Sequence, residues 1–519
     1  MTPIIATITF PLIGAYLAIF WLILPVFNYF RDPKGLRKYQ KLAFFSGISD
    51  IPYCYLSSKG FRSKGITEAH KKAKSAILRI GPNNLSFSDV KAIKDIYGHS
   101  TPCLKDLKYS MTGGPHPNIF DVVDKAKHSE KRKRLSAAFA IKNLVHWEFK
   151  VADTTARLLN AFDARCTEPL PAGSNPMKSD LTIEFNHWIN LFTIEAINSI
   201  ALSSTLGVLE QGDDVVTAER MDGTKYKAHY RKAQNTSAYA ASHFVWDYQN
   251  FWLFCQLSKI MPKWRKIWRE TEPWKDVIYH QTITRLDRYQ KGEKLDDFFA
   301  SLMDSKSGAP YNLELGEIIG DVGAFIDAGA DTTAIALTQV LELLIRHPNH
   351  LDTLRQEVDS VLEGETVAPF EKVRHLPFLR SCLDEAMRII PPTSAGLPRR
   401  TPAEGAMILG EWIPGDTSVS MPAYTAHHDP SVFLNPEEFQ PHRWMDPEAK
   451  KKMEPFFVPF STGGRGCIGR NISYLEQTVM LATLVHRYEF ALPDASWKLQ
   501  RFEAFNLLMG QMPIKIWRR

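Results

Sequence analysis

Apolar residues form two long runs in this chain and recur with a helical period over much of the rest. The first run, residues 10–30, contains no charged side chain. The second, residues 318–345, is broken by three aspartates and three glycines. About twenty helical residues span about 30 Å of hydrocarbon, so both runs are long enough to cross a bilayer. The carboxylates in the second run instead predict a helix through the middle of a large folded domain.

The shorter patterns predict a mainly α-helical protein with small β-sheets. Residues 350–363, 376–390 and 470–488 have the apolar period of helices. Residues 76–87 and 397–425 are rich in β-formers, Pro and Gly, which is typical of short strands joined by turns.

Length alone, at about 150 residues per domain, suggests three domains for 519 residues. No internal repeat, low-complexity linker or long charge block divides the sequence after residue 50. We therefore expect a single large domain at 51–519, preceded by a basic linker at 31–50 and a membrane anchor at 1–30.

The charges after the first apolar run predict its orientation. A single acid, Asp32, stands among five cations there: Arg31, Lys34, Arg37, Lys38 and Lys41. By the positive-inside rule this flank stays in the cytosol, so we expect a single-pass protein of the endoplasmic reticulum membrane with a cytosolic domain. A cleaved signal peptide is the alternative. It fits less well, because the run lacks a basic segment before it and a small-residue cleavage pattern after it.

Composition narrows the partners and the chemistry. The formal net charge of +6 is small for this length, so we expect no nucleic acid partner. An apolar fraction of 44% is that of a globular protein. The six cysteines are widely separated and fit neither a zinc site nor a disulfide framework.

Residues 239–254 are unusually aromatic and allow two interpretations. They include seven aromatic side chains: Tyr239, Phe244, Trp246, Tyr248, Phe251, Trp252 and Phe254. The segment is either ordinary core or an apolar element for substrate access or membrane contact.

The segment Phe460–Gly469 carries the strongest chemical signal. It places Cys467 in a turn with four glycines, directly before a predicted helix. The helix dipole favours a thiolate, and Arg465 is suited to pairing with an anion on the same ligand. A cysteinate that ligates haem iron has these requirements, since the haem propionates attract cations. A structural cysteine in a glycine-rich turn is the alternative for a short match.

This segment resembles the haem loop of the cytochrome P450 family, the haem-thiolate monooxygenases. The resemblance extends from about residue 50 to the C-terminus and implies the P450 fold, with Cys467 as the iron ligand. Glu385–Arg388 matches the family's Glu-x-x-Arg pair, and Pro441–Trp444 matches the segment whose arginine completes a buried Glu-Arg-Arg cluster. In the family, this cluster supports the core behind the cysteine loop.

Residues 328–333 match the family's central-helix signature. The resemblance implies that Asp331 and Thr332 relay protons to dioxygen, while Gly329 allows the helix to bulge or to admit water. The alternative for Thr332 is a hydrogen bond to the carbonyl four residues earlier in its own helix.

The resemblance also assigns residues to the haem. Propionate-binding positions fall on Arg132 and Arg399, with Arg400 as a close rival for the latter. The remaining assignments to the haem pocket are His128, Arg465, Gly329 and Phe460. His128 stands where the family often has Trp. The segment 125–134 contains six cations, which form either a solvated helix face or a docking face for an acidic reductase.

The implied function is insertion of one oxygen atom of O2 into a substrate. Since no flavin or nicotinamide site is recognisable in the chain, NADPH would act through a separate reductase. A sensor without turnover and a peroxide-rearranging enzyme without a reductase are alternatives, which the Asp331-Thr332 pair disfavours.

Four short stretches are most similar to fungal enzymes related to benzoate 4-monooxygenase and to hydroxylases of small phenols in patulin-type pathways: Ile96–His99, Ala126–His128, Gly396–Arg399 and Phe457–Gly463. The resemblance suggests a small aromatic substrate in fungal secondary metabolism, including mycotoxin formation. Oxidation of a larger terpenoid or polyketide is the alternative.

Overall fold

Helices make up most of the computed structural model, which describes residues 22–245 and 249–519. The α-helices are α1 Leu24–Arg31, α2 Ile51–Ser58, α3 Arg62–Ala73, α4 Ala92–Tyr97, α5 Ser110–Gly113, α6 Lys125–Leu135, α7 Ile141–His146, α8 Glu148–Asp163, α9 Phe185–Leu202, α10 Val208–Gln211, α11 Tyr230–Phe244, α12 Phe251–Ser258, α13 Pro262–Gln290, α14 Phe298–Met303, α15 Leu315–Arg346, α16 Pro348–Asp359, α17 Phe370–Val373, α18 Pro377–Ile389, α19 Ala423–His427, α20 Pro447–Met453 and α21 Arg470–Arg487. Single 3₁₀ turns lie at Leu36–Lys38, Leu107–Tyr109, Lys178–Asp180, Pro441–Trp444, Glu454–Phe456 and Gly463–Arg465. The mainly α-helical prediction is confirmed.

The strands are short and form small sheets. They are β1 Gln40–Lys41, β2 Ile77–Gly81, β3 Asn84–Phe87, β4 Leu104–Lys105, β5 Ile183–Glu184, β6 Val215–Glu219, β7 Lys225–His229, β8 Arg399–Arg400, β9 Ala406–Ile408, β10 Glu411–Ile413, β11 Ser418–Ser420, β12 Tyr488–Ala491, β13 Arg501–Glu503, β14 Leu507–Met509 and β15 Pro513–Arg518. The largest sheet has the order β1-β2-β3-β11-β8-β4, and a second has the order β12-β15-β5. Three antiparallel pairs, β6-β7, β9-β10 and β13-β14, complete the set.

Helix α15 passes through the centre of the main hydrophobic core. It packs against α9, α13, α18 and α21, and its buried side chains join those of the other four helices. Within the described residues, only α15 is apolar and long enough to cross a membrane, but 67% of its most apolar window is buried inside the protein. Asp321 on this helix is buried in an ion pair with Lys131 of α6 at 2.8 Å. The predicted central helix is therefore confirmed.

The basic segment 31–50 lies against the domain. Strand β1 pairs in parallel with β2. Lys34 Nζ donates hydrogen bonds to Asn83 Oδ1 at 2.9 Å and to the Asp416 carbonyl at 2.7 Å. Lys38 Nζ lies 2.5 Å from a carboxylate oxygen of Glu411. Most of the predicted anchor at 1–30 lies outside the described residues, which begin at residue 22.

The aromatic segment 239–254 is partly buried in the core and partly exposed on the surface. Tyr239 and Phe244 pack against the Trp264 ring, with centroid distances of 6.3 and 4.8 Å. Phe251 is buried, whereas the Trp252 side chain is 59% exposed. Trp246 and Tyr248 lie outside the described residues. The segment thus contributes to the core and also presents an apolar surface at α12.

Candidate functional site

The loop before α21 holds Cys467 in a tight turn. The Cys467 N–H donates a hydrogen bond to the Phe460 carbonyl at 2.8 Å, and the Gly466 N–H donates to the Gly463 carbonyl at 3.0 Å. Gly463 has a φ of +70°, and a Cβ there would overlap the Tyr97 carbonyl oxygen. Both the left-handed backbone and this close approach require glycine. Packing against the end of α4 therefore fixes the loop.

Phe460 supports the loop from behind. Its ring packs against Tyr474 of α21 with centroids 5.1 Å apart, in a small cluster that includes Ala336 of α15. The backbone bond from Cys467 and this ring contact connect the cysteine loop to both central helices.

The Cys467 side chain has exposed surface, yet it lies deep in the protein. Its exposed surface therefore faces an interior space. Burial raises the pKa of its thiol, while the N–H groups of Gly469 and Arg470 and the charge of Arg132 lower it by less. In the free thiol, burial therefore opposes the preference for the thiolate that the turn and the helix dipole provide. A cationic partner such as a metal ion would reverse this balance, since metal binding deprotonates a coordinating thiol.

The middle of α15 forms one wall of an internal space. Asp327 and Ala328 are exposed and Thr332 is half-buried, on a helix that is buried along most of its length. Exposed groups in the interior of a domain imply an internal cavity. Thr333 Oγ1 lies 3.0 Å from Ser473 Oγ, so this part of α15 is held against α21 close to the Cys467 loop.

Thr332 and Asp331 have different partners in this wall. Thr332 Oγ1 donates a hydrogen bond to the Ala328 carbonyl at 2.9 Å, which is the alternative that the sequence left open. Asp331 Oδ2 accepts a hydrogen bond from Asn506 Nδ2 at 3.1 Å. Burial and the neighbouring Asp327 raise the pKa of Asp331 to about 6. A carboxyl with that pKa can both hold and release a proton near neutral pH.

Gly329 serves close packing rather than a bulge in this structure. Helix α15 is continuous from Leu315 to Arg346. A Cβ at Gly329 would lie 2.6 Å from side-chain carbons of Ile197 on α9. The glycine therefore allows α9 and α15 to approach each other, and the bulge that its presence allows is not formed.

Cations converge on one side of the cysteine loop. Arg132 Nη1 donates a hydrogen bond to the Gly466 carbonyl at 2.7 Å. Arg465 Nη1 donates to the Val122 carbonyl at 2.6 Å, and burial together with Arg399 lowers the pKa of Arg465 to about 10. Burial and four neighbouring cations lower the pKa of His128 to about 3, so its imidazole is neutral.

Two further residues beside these cations, Lys105 and Tyr109, belong to no sequence motif. Lys105 on β4 is buried, donates to the Phe120 carbonyl, and has its pKa lowered by burial, Arg399 and Arg465. Tyr109 is buried beside Arg399. The only sign in the sequence is that both lie in a segment between a strand and the basic helix α6.

The rivalry between Arg399 and Arg400 has a structural basis, because neighbouring residues of β8 point to opposite faces of the sheet. Arg399 is buried, with its guanidinium 5.1 Å from the centroid of the Tyr97 ring. Arg400 instead lies 3.5 Å from a carboxylate oxygen of Asp416, and a quarter of its side chain is exposed. Arg399 therefore belongs to the cation group, which we call the inner cations: Lys105, Arg132, Arg399 and Arg465, with the neutral His128 beside them.

A buried ion cluster lies behind the cysteine loop. Glu385 and Arg388 of α18 have no exposed surface and form a bidentate pair at 2.9 Å. Arg443 Nε donates to Glu385 Oε1 at 3.0 Å, and Trp444 Nε1 donates to Glu385 Oε2 at 2.9 Å. The Glu-Arg-Arg cluster implied by the resemblance is therefore present in the structure.

The fold and the site together define a class of protein. A deep cysteine, a group of inner cations and a facing wall of α15 fit a flat, anionic, iron-containing cofactor bound through sulfur. Comparison of the sequence with family profiles agrees: the model described as Cytochrome P450 matches residues 78–517. This chain belongs to the cytochrome P450 family.

Related proteins cover most of the chain at low identity. It is 28% identical to cytochrome P450 monooxygenase 1 of Neocamarosporium betae, over 91% of this chain and 90% of the relative. It is 26% identical to cytochrome P450 monooxygenase orf5 of Eupenicillium brefeldianum, over 100% and 97%. Tryprostatin B 6-hydroxylase of Aspergillus fumigatus is 24% identical, over 85% and 74%.

The crystal structure of a cytochrome P450 named CYP102L1 superposes with a TM-score of 0.70 and 18% identity, over 93% of this chain and 99% of that one. At this identity the match supports the fold, which is the P450 fold. The family and these relatives make the chain a haem-thiolate oxidoreductase of the monooxygenase type.

The residues present fit haem. Cys467 would provide the thiolate, and within the described residues the inner cations donate their hydrogen bonds mainly to backbone carbonyls. Like charges so close together lower one another's pKa values, and the carboxylates Asp121 and Asp124 only partly offset this effect. Two propionates would relieve the repulsion.

Arginine 399 should contribute much more to haem retention than Arg400. Arg399→Gln removes a buried cation from the propionate side, so we expect the ratio of haem to protein to fall after gel filtration. Arg400→Gln is the matched control, since its partner is the half-exposed Asp416. Pyridine haemochrome assays on both purified variants measure the ratio. Equal loss in the two variants would contradict the assignment.

Proposed function

We propose that this protein hydroxylates a small aromatic or phenolic compound in fungal secondary metabolism, using O2 and electrons that a separate reductase takes from NADPH. The observation that carries the proposal is an exposed Cys467 in a loop that Arg132 contacts at Gly466, directly before α21. The partly exposed middle of α15 is bonded to α21 through Thr333 and Ser473. Haem bound through Cys467 supplies the activation of O2 and the transfer of one oxygen atom to the substrate.

The residues of this chain have three tasks in that reaction. The inner cations hold the propionates, and the Glu385 cluster keeps the cysteine loop in place. Thr332 and Asp331 hold and move protons: the Asp331 carboxyl exchanges a proton near neutral pH, and the Thr332 hydroxyl can turn from the Ala328 carbonyl towards the cavity. Helix α15 and its neighbours exclude bulk water.

Loss of the Thr332 hydroxyl should separate electron use from product formation. In Thr332→Ala we expect NADPH consumption to continue while hydroxylated product falls about 100-fold, the low end of general acid–base effects. Thr332→Ser is the matched control and should retain most of the product yield. The measurement is product formed per NADPH consumed, together with peroxide released. An unchanged yield in the alanine variant would remove Thr332 from proton delivery.

A substrate panel tests the proposed reaction directly. The holoenzyme with NADPH and a P450 reductase is incubated with m-cresol, benzoate, 3-hydroxybenzyl alcohol and a larger aromatic polyketide, and products are identified by mass spectrometry. Hydroxylation of a small phenol supports the proposal. Turnover of the large compound alone would favour the second candidate, oxidation of a larger terpenoid or polyketide.

The proposed reductase contact rests on fewer cations than the sequence suggested. On α6, Lys125, Lys127 and Lys133 are exposed. Lys131 pairs with Asp321, Arg134 pairs with Glu317, and Arg132 reaches the cysteine loop. The three exposed lysines lie on the helix whose Arg132 contacts the Cys467 loop, so we expect an acidic reductase surface docked there to approach the haem from the thiolate side.

We also propose a single-pass anchor in the endoplasmic reticulum membrane with the catalytic domain in the cytosol. Support comes from the charge-free run at 1–30, the cations after it, and the apolar side chains exposed on and after α12: Trp252, Leu253, Leu257, Ile260 and Met261.

Deletion of residues 2–21 should release the protein from membranes. These residues form most of the charge-free run and precede the part of the chain that contacts the domain. We expect the deleted form in the supernatant of a carbonate-washed microsomal preparation and the full chain in the pellet. Trp252→Ser in the full chain is the control and should stay in the pellet. Retention of the deleted form in the pellet would contradict the anchor.

A further inference from the structure

Asp327 is an acidic side chain in the cavity wall that the roles above leave unexplained. It lies one helical turn before Asp331 on α15 and is exposed, although the helix runs through the core. Protein nevertheless surrounds its carboxyl, and burial raises the pKa of Asp327. An exposed group this deep must face the internal cavity rather than the outer surface.

The surroundings of Asp327 provide hydrogen bonding but little opposite charge. Gln234 Nε2 of α11 donates a hydrogen bond to Asp327 Oδ1 at 2.7 Å. Within residues 22–245 and 249–519 no ion pair reaches this carboxylate. The charge of Arg231 lowers the pKa of Asp331. At Asp331 this effect is smaller than the repulsion from Asp327, so the two acids raise the cost of ionising the pair.

Two carboxylates one turn apart in a desolvated wall repel each other, and each is costly to ionise. A structural role alone does not explain the negative charge at Asp327, because an asparagine at this position could accept the same hydrogen bond from Gln234. A cationic group in the cavity would stabilise both carboxylates at once.

We propose that Asp327 selects substrates that carry a positively charged nitrogen, and that it binds this nitrogen at the cavity wall. The inference rests on the proposed monooxygenase function and narrows its substrate class: among small aromatics it favours those with an amine on an alkyl side chain, which is protonated near neutral pH, and it disfavours a benzoate anion. Thr332 lies five positions after Asp327, so the two residues are about 7.5 Å apart along the helix axis. The oxidised carbon therefore lies several bonds away from the nitrogen.

The experiment compares two ligands of the same shape that differ in charge. Benzyltrimethylammonium carries a quaternary nitrogen that cannot coordinate iron, and neopentylbenzene has carbon in its place. Dissociation constants for both are measured by spectral titration of the holoenzyme and by equilibrium dialysis, for the unaltered protein and for Asp327→Asn. We expect the variant to bind the cation about 10-fold more weakly, at the low end of what an opposite charge within about 4–6 Å contributes. Binding of neopentylbenzene should change less than about twofold.

Asp352→Asn on α16 is the matched control, because that carboxylate is exposed on the surface and its side chain is 63% accessible. It should leave both dissociation constants unchanged. Equal weakening of both ligands in Asp327→Asn, or no weakening of either, would overturn the role of Asp327. A reduced, CO-bound difference spectrum recorded on every variant separates the two levels of failure. If no variant shows thiolate-ligated haem, the proposed function fails; if haem is bound but charge preference is absent, only this inference fails.

Discussion

Replacing Cys467 by alanine should abolish monooxygenase turnover, down to the rate without enzyme. The fold positions the Cys467 sulfur through the hydrogen bond from the Cys467 N–H to the Phe460 carbonyl. Alanine keeps that backbone bond and the tight turn, so the loop should still form. Without the thiolate, the reduced CO complex should lose the red-shifted Soret band that a sulfur ligand produces.

The matched control is Cys166→Ser, at a half-buried cysteine outside the site. Both variants are purified, and their CO difference spectra, haem content and product formation are compared with those of the unaltered protein. Cys166→Ser should retain all three properties. Thiolate-type spectra in Cys467→Ala would show that another cysteine ligates the iron and would overturn the site assignment.

Removing the Glu385 carboxylate should have the largest effect on folding. In Glu385→Ala, the guanidinium of Arg388 loses its bidentate partner while remaining fully buried. Removing one partner of a buried ion pair costs about 3–5 kcal/mol. That is a large part of the free energy of unfolding of a typical domain, which is about 5–15 kcal/mol. The Arg443 and Trp444 side chains lose their acceptor as well. We expect little soluble, haem-loaded protein.

Glu371→Gln provides the comparison, because this glutamate forms an exposed pair with Arg374 at 3.1 Å. Exposed pairs contribute about 0–1 kcal/mol, so this variant should fold and load haem normally. Soluble yield, haem content and thermal denaturation are measured for both variants, with Glu385→Asp as an intermediate that keeps the charge. A normal melting temperature in Glu385→Ala would show that the cluster does not hold the cysteine loop.

The sequence was sufficient for features whose chemistry is local. The glycines around Cys467, the acids within α15 and the i, i+3 pair Glu385-Arg388 are each visible in a few residues, and the structure shows them as predicted. The strands at 76–87 and 397–425 were visible too, because their turn residues mark them.

Features that depend on several distant segments were out of reach. Lys105 and Tyr109 become part of the site only because β4 pairs with β8, which carries Arg399. The resemblance predicts a bulge or a water molecule at Gly329. The contact of Gly329 with Ile197 depends instead on how α9 crosses α15. The pKa of the Cys467 thiol depends on total burial, which a local motif does not reveal.

Strand β1 has a mechanical consequence for the assembled enzyme. It joins the edge of the largest sheet nine residues after Arg31, and Lys34 and Lys38 fasten the intervening chain to the domain. The tether between a membrane helix and the catalytic body would thus have almost no slack. With the proposed anchor, the domain would not rotate freely above the bilayer. The same short strand would then set both the direction of substrate entry and the height at which the proposed reductase docks.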